Sequence, residues 1–343
     1  MKNVKIIIAG PCAVESKYQL FATAKELYQL QTSDFVLHFF RAGVWKARSN
    51  HIDFQGIGNE ALVWLQEIKK QFGFNICVEV ASAAHVQRCV ENNIDAIWIG
   101  ARTTVNPFLV QEIAEATTNS NLTVLVKNPI NPDLSLWIGA IQRFQNAGTR
   151  KIMAVHRGFS IVGENVYRNT PCWEIPVALH LKYLDIPLLC DISHISGDVS
   201  LQPAIAQTAT DYGFDGIMAE VHYAPEQALS DSKQQLSPLQ FTNLLRSLTF
   251  SFSRNDADNA LFIQRNLIKN IDIQISKLLR KRMETVDEIA SIKVKYSLPL
   301  LQTEQWKKVV EIYEENALKD KNYQHFIEEF LLLLHKSSLK RQG

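Results

Sequence analysis

Eight unbroken apolar runs divide the first part of the chain: VKIIIAG (4–10), FVLHFF (35–40), NICVEV (75–80), DAIWIG (95–100), TVLVKN (123–128), KIMAVH (151–156), IPLLCDIS (186–193) and GIMAEVH (216–222). Alternating patterns mark strands with one wet face. Unbroken runs mark strands buried on both faces, as parallel sheets require. The intervals between runs hold helical-period segments, so each unit reads as a strand followed by a helix. Eight such units in about 250 residues match a closed (β/α)8 barrel. An open doubly wound sheet is the runner-up, but the turn after the first run lacks Gly-x-Gly-x-x-Gly.

Glycine usage marks where this pattern stops. Thirteen of 14 glycines lie in residues 1–216, and none occurs from Ile217 to Gln342. The first part needs tight turns and the last does not. The expected layout is an α/β barrel over 1–250, a linker over 251–258 (within FSFSRNDAD) and an all-α domain over 259–343. Asn259 to Leu298 contains no Gly or Pro, room for a helix of about 60 Å. Pro299 ends it, and helices near 303–318 and 321–340 make three. Long helices are stabilised mainly by packing, so this hairpin is expected to dimerise.

The net charge of +1 excludes a global basic field for nucleic acid. The five cysteines are odd in number, and Cys77 and Cys190 sit in apolar runs, where a reduced buried thiol is the default. Only three consecutive isoleucines precede Gly10-Pro11, too few for a signal peptide or membrane span. A cytoplasmic location without membrane contact is the expectation.

Charged residues concentrate at the strand ends. Arg41 and Lys46 follow the second run, Arg102 the fourth, Lys127 ends TVLVK, and Arg157 follows the sixth. Active residues of a barrel gather at the C-terminal ends of its strands. Five cations there would repel one another unless anions entered, which points to phosphates and carboxylates. RAGVWKAR places three cations in one loop, suited to two anionic groups side by side. Cys12, His194, Glu220 and Asp231 follow strands one, seven and eight, which are neighbours once a barrel closes. A lone Cys after Gly-Pro is more often structural; with an imidazole and two carboxylates it suits Mn, Fe, Co or Zn.

The ordered set AGPC, RAGVWKARS, GAR, VKNP, HRG, DISH, AEVH and LSDS resembles 3-deoxy-D-arabino-heptulosonate 7-phosphate (DAHP) synthase of the short, barrel-only type, over roughly residues 4–245. The resemblance implies condensation of phosphoenolpyruvate with erythrose 4-phosphate, opening the route to aromatic amino acids. It implies Cys12, His194, Glu220 and Asp231 as ligands of a divalent metal. Phosphoenolpyruvate would be held by Arg41, Lys46, Arg102, Lys127 and Arg157, with Lys46 donating a proton. The sugar phosphate would meet Arg48 and Ser49. Two motifs depart: the loop reads Lys46-Ala47-Arg48-Ser49 for Lys-Pro-Arg-Thr, and SDSKQ replaces SDGxQ, leaving the backbone of that turn open at Ser232. The related octulosonate 8-phosphate synthase has Lys-Ala-Asn-Arg in its loop and lacks GAR, so the heptulosonate reading is preferred.

In the tail, with Ile271 as origin and about 100° per residue, Ile275, Leu278, Val286 and Ile289 fall within about 60° and form the expected buried stripe. Arg282 and Lys293 fall on that stripe, at about 20° and 40°. Cations there need a partner, either a helix acid or a bound dianion. Arg265 projects about 100° away from Arg282, toward another element such as a second subunit. The tail resembles the all-helical chorismate mutase domain through Arg265, Asp272, Arg282, Lys293, Pro299, Ser338 and Gln342. That resemblance implies chorismate as substrate, Arg265 and Arg282 on its carboxylates, Lys293 and Gln342 on its ether oxygen, and no cofactor. It also implies a homodimer and prephenate as inhibitor of the synthase. Gln302, Gln305 and Trp306 stand where the family has Asp and then Arg-Glu, so Gln302 would have to substitute at the chorismate hydroxyl. A tail that only dimerises and senses is the alternative.

Overall fold

The computed structural model describes residues 6–32, 35–46, 52, 54–162, 166–249, 256–299, 303–316 and 321–342. Its contacts divide the chain into two compact units, Met1–Asn266 and Leu267–Gly343.

The first unit is a closed, all-parallel barrel with strand order β1 to β8. The strands are β1 Ile6–Gly10, β2 Phe39–Ala42, β3 Ile76–Val80, β4 Ala96–Ile99, β5 Thr123–Lys127, β6 Lys151–His156, β7 Leu188–Asp191 and β8 Gly216–Glu220. Closure is made by β1 against β8, with Ile6 opposite Gly216 and Gly10 opposite Glu220. All eight apolar runs contain a strand, but the second is shifted. FVLHFF predicts a strand over 35–40; the sheet instead uses FFRA, because the register Ile8 to Phe39 on one side and Phe40 to Ile76 on the other brings in Arg41. Phe35 and Leu37 are buried outside the sheet.

Side chains in a strand alternate between faces, and two apolar layers result. Ile8, Phe39, Cys77, Ala96, Trp98, Leu125, Val155, Leu189 and Met218 fill the barrel interior. Their neighbours, among them Ile7, Phe40, Val78, Ile97, Val124 and Ile217, face the surrounding helices. Side-chain caps start several of the helices that follow the strands. Ser82 accepts from His85 N, Asp133 from Leu136 N, and Asp191 from His194 N.

Three further helices follow, Asp256–Lys295, Thr303–Asn316 and Lys321–Gln342. The long helix has 40 residues. Residues 256–258, expected in the linker, already belong to it; 251–255 lie outside the described residues. Val286, Ile327, Leu331 and Leu334 are buried in the helical unit. The predicted buried stripe needs correction. Val286 is buried, but Ile271, Ile275, Leu278 and Ile289 are 46, 45, 67 and 41% exposed. Apolar periodicity shows that a face seeks cover; it does not show that the cover lies within one chain. Among the described residues no helix is long and apolar enough to cross a membrane.

Candidate active site

Two residues beyond the uppermost inward apolar side chain, each strand presents its next inward position at the mouth of the barrel. These positions are Gly10, Arg41, Glu79, Gly100, Lys127, Arg157, Asp191 and Glu220, from β1 to β8 or just past their ends. Period two thus builds the floor of the pocket: three cations, three carboxylates and two glycines. The glycines leave needed space. A Cβ at Gly100 would lie 2.5 Å from Glu79 Oε1, and one at Gly10 would lie 2.1 Å from the Arg41 carbonyl oxygen. Above this floor is a cavity of about 240 Å³, lined by Lys46, Arg102, Lys127, Arg157 and Arg168 together with Glu79, His194 and Asp231. Arg41 and Glu220 lie fully buried.

The self-repulsion expected of the cations does not arise in the form the sequence suggested, because carboxylates are interleaved with them. Arg41 Nη2 donates to Glu220 Oε1 at 3.0 Å, and Lys127 Nζ to Asp191 Oδ2 at 2.6 Å. Lys46 Nζ is 3.6 Å from Glu79 Oε2, and Arg168 Nη1 is 3.1 Å from Asp231 Oδ1. Among the described residues of the site, six cations (with Arg102 and Arg157) stand against four carboxylates, two more positive than negative groups. Burial pulls the Arg157 pKa down to about 10 and also lowers that of Lys127, with Asp191 opposing the shift on Lys127. Burial acts the same way on Lys46, but Cys12 and Glu79 more than offset it and keep the ammonium charged. Trp98 supports two of the cations from below, with Arg41 Cζ 4.9 Å and Lys127 Nζ 5.6 Å from its ring. Arg41 Nε and Nη1 are buried with no hydrogen-bond partner among the described residues. Unpaired buried donors are costly, and an anion would satisfy them.

The expected metal ligands converge. Cys12, Glu220 and Asp231 each offer a donor atom within 4.8 Å of the others, and Cys12 Sγ is 3.2 Å from Asp231 Oδ2. His194 stands at the edge of this trio, with Nε2 3.8 Å from Glu220 Oε1 and Nδ1 2.8 Å from Asp191 Oδ2. A carboxylate behind Nδ1 aims Nε2 forward, the usual outer-shell arrangement of a metal-bound histidine. The acid–base chemistry fits a cation as well. Burial and the Glu220 charge push the Cys12 thiol up to about 12, a shift that a divalent ion would reverse. Burial lowers the His194 pKa, against the pull of Asp191. Burial opposes the charge on Glu220, yet His194, Arg41 and Lys46 bring its carboxyl down to about 2.

The SDSKQ turn tolerates its serine. The left-handed residue is Asp231 itself (φ 49°), a type that adopts this region, and Ser232 only starts a short 3-10 turn. Gln234 Nε2 donates to Glu220 Oε2 at 2.6 Å, and Gln235 Oε1 accepts from Cys12 N at 3.0 Å. Arg48 and Ser49 lie outside the described residues.

Glu79, Asp191, Arg168, Asn169 and Gln234 were not anticipated from sequence. Glu79 and Asp191 could have been found by stepping two residues past Cys77 and Leu189. Asn169 accepts from Arg157 Nη1 at 2.8 Å and donates to the His194 carbonyl, joining the β6 and β7 sides of the pocket. Nothing local in the sequence signals Arg168 or Asn169, which reach the site from the loop after β6.

In the helical unit, Arg282 Nη1 donates to Ser338 Oγ at 2.8 Å, and Lys293 Nζ to Gln342 Oε1 at 2.8 Å. Lys293 and Ser338 are buried, and these contacts are with neutral groups. Arg265 is exposed, and Gln302 and the side chains of Gln305 and Trp306 lie outside the described residues.

A closed parallel barrel with a cationic pocket and a Cys/His/carboxylate cluster at its C-terminal end defines a class of enzymes acting on small phosphorylated carboxylates. The model of the DAHP synthetase I family matches residues 2–252, and that of chorismate mutase type II matches 264–343. The chain therefore belongs to the DAHP synthetase I family and carries a chorismate mutase type II domain C-terminal to the barrel in sequence. It is 31% identical over 243 residues to a phospho-2-dehydro-3-deoxyheptonate aldolase of Thermotoga maritima, covering 71% of this chain and 68% of that one. A 2-dehydro-3-deoxyphosphooctonate aldolase of Helicobacter pylori is 26% identical, covering 71% of this chain and 94% of the relative. The crystal structure of a Thermotoga maritima DAHP synthase superposes with a TM-score of 0.62 at 30% identity, over 70% of this chain and 67% of the other.

Proposed function

We propose how individual residues divide the work of the two activities, DAHP synthesis in the barrel and the chorismate-to-prephenate rearrangement in the helical domain. In the barrel, Arg41, Lys46, Arg102, Lys127 and Arg157 hold the phosphate and carboxylate of phosphoenolpyruvate. The carrying observation is the excess of cations over carboxylates around one small cavity, with two Arg41 donors that have no partner among the described residues. Arg48 and Ser49 take the phosphate of erythrose 4-phosphate. Cys12, His194, Glu220 and Asp231 would hold a divalent ion (Mn, Fe, Co or Zn), which when bound supplies Lewis-acid polarisation of the aldehyde oxygen. Lys46 holds the proton that this oxygen takes up when the methylene carbon of phosphoenolpyruvate attacks. The arginines orient the phosphate that leaves after water adds at C2.

In the helical domain Arg282 and a partner subunit's copy of Arg265 bind the carboxylates of chorismate. Lys293 and Gln342 donate to the ether oxygen as it gains negative charge, Ser338 holds Arg282, and Gln302 meets the hydroxyl. The exposed stripe of Ile271, Ile275, Leu278 and Ile289 supports a homodimer through this helix. Prephenate binding there inhibits the barrel. Five free cysteines favour the cytoplasm.

The test is phosphate release from phosphoenolpyruvate with erythrose 4-phosphate against arabinose 5-phosphate, on wild type, C12A and R282A full-length protein. Wild type turns over with erythrose 4-phosphate. C12A loses condensation even with added metal but keeps mutase activity, and R282A does the reverse. Full condensation by C12A would remove Cys12 from the ligand set.

A further inference from the structure

An aromatic stack flanks the loop that carries Lys46. Trp45, the residue directly before Lys46, lies flat against the imidazole of His85, with ring centroids 4.0 Å apart and planes 9° from parallel. His85 is held from two sides. Its backbone N–H donates to the cap Ser82 Oγ at 3.2 Å, and its Nδ1 accepts from Ala81 N at 3.3 Å. An acceptor at Nδ1 places the remaining ring proton on Nε2 and requires a neutral ring. Partial burial acts in the same direction by lowering the His85 pKa.

The position of this stack gives it a consequence. Trp45 is adjacent to Lys46, and Ala81 lies two residues beyond Glu79 in the segment leaving β3. Lys46 and Glu79 face each other in the cavity, Nζ to Oε2 3.6 Å. The stack therefore joins the backbone that delivers the ammonium to the backbone that delivers its counter-charge. Other ties fix the same loop from its far side. Lys46 N donates to Gln55 O at 2.9 Å and Gly58 N to Val44 O at 3.1 Å. Gly56 (φ +89°) permits this approach, because a Cβ there would lie 2.2 Å from Val44 O. These bonds set the loop's distance from residues 55–58, and none of them links it to β3. Ala47, next along the chain, adds no ring restraint.

We infer that His85 is a positioning residue for the condensation: its imidazole, pinned by Ala81 and stacked on Trp45, sets Lys46 in register with Glu79. The inference rests on the proton-donor reading of Lys46 given above. Displacing a proton donor acts on the chemical step more than on binding. A parallel aromatic stack contributes about 0.5–1.5 kcal/mol beyond area burial, so its loss corresponds to a kcat reduced by up to about tenfold.

The experiment compares wild type, H85A, H85F, W45L and H85A/W45L in full-length protein, with phosphoenolpyruvate varied at saturating erythrose 4-phosphate. H85A and W45L each lower kcat up to about tenfold, and any rise in KM for phosphoenolpyruvate, which Lys46 also holds, is smaller than the fall in kcat. H85F, which restores a flat ring, recovers most of the loss, and the double variant is no worse than the worse single. In parallel, the emission of Trp45, taken as the difference between wild type and W45F, becomes more accessible to acrylamide in H85A and is protected again in H85F. This arm needs no substrate, so it tests the stack even where the condensation reading fails. Multiplying losses in the double variant, a rise in KM at unchanged kcat, no rescue by H85F, or unaltered quenching in H85A would each overturn the inference. Should H85A not fold, W45L and H85F carry the same comparison.

Discussion

Replacing Asp191 by asparagine tests the charge architecture of the barrel most directly. Asp191 is fully buried and serves three groups on two neighbours. It accepts from Lys127 Nζ at 2.6 Å, caps a helix by accepting from His194 N at 3.1 Å, and stands 2.8 Å from His194 Nδ1. Burial disfavours its charge, yet His194 and Lys127 hold its carboxyl well below the usual range. Asparagine keeps the volume and one acceptor oxygen, so the cap can survive. It removes the counter-charge of Lys127, whose side chain is only 5% exposed. Breaking a buried pair from one side costs about 3–5 kcal/mol, whereas replacing both members by apolar groups can be neutral. The D191N barrel is therefore expected to lose about that much in urea unfolding, and K127M/D191N to recover most of it. Metal affinity should behave differently. Without the carboxylate behind Nδ1, both variants should bind a divalent ion about 10–100-fold more weakly in calorimetric titration. A D191N loss below about 1 kcal/mol, or a double variant as unstable as D191N, would refute the paired-charge reasoning.

Two further outcomes follow from buried groups near the strand ends. His156 is fully buried among Trp137, Phe159, Trp173 and Phe214, and burial pulls its pKa down to about 3. The unfolded chain takes up that proton near 6.5, so it binds more protons between about 6.5 and 3, and stability falls as pH drops through that window. The contribution lost at pH 5 is about 2 kcal/mol, and H156L should shrink the difference between melts at pH 7 and pH 5; an unchanged difference would show that His156 is not the source. In G43A the new Cβ would meet Cys12 O at 2.0 Å and Lys46 Cδ at 2.8 Å. Overpacking of this kind costs about 1–3 kcal/mol. Thermal melting should report that loss and condensation should fall with it, while a wild-type melt would contradict the close approach.

Much of the barrel was legible because its determinants are local. Unbroken β-branched runs admit few other fates, and their number and spacing pointed to closure. The cations and metal-type ligands were legible because barrel chemistry sits at strand ends. Glu79 and Asp191 escaped notice because an acid inside or directly after an apolar run looks like a strand terminus until the inward face is known. Arg168 and Asn169 escaped for another reason: a loop residue more than ten positions past β6 can reach the pocket only by a path that no short-range pattern encodes.

The amino-acid sequence by itself determined the periodicities: parallel strands, a glycine-free helical tail, and charges collected at one end of the barrel. Only the tertiary structure decided how those charges coexist. Arg41 with Glu220, Lys127 with Asp191 and Lys46 with Glu79 are pairs between different strands or their following loops, separated by up to 179 positions. Coulombic energy depends on distance in space, so a list of cations cannot reveal its own neutralisation. The same limit applied to the stripe on the long helix. Its apolar face was readable from residue spacing, but whether Ile271 and Leu278 are covered depends on what lies opposite, and in the single chain they remain exposed.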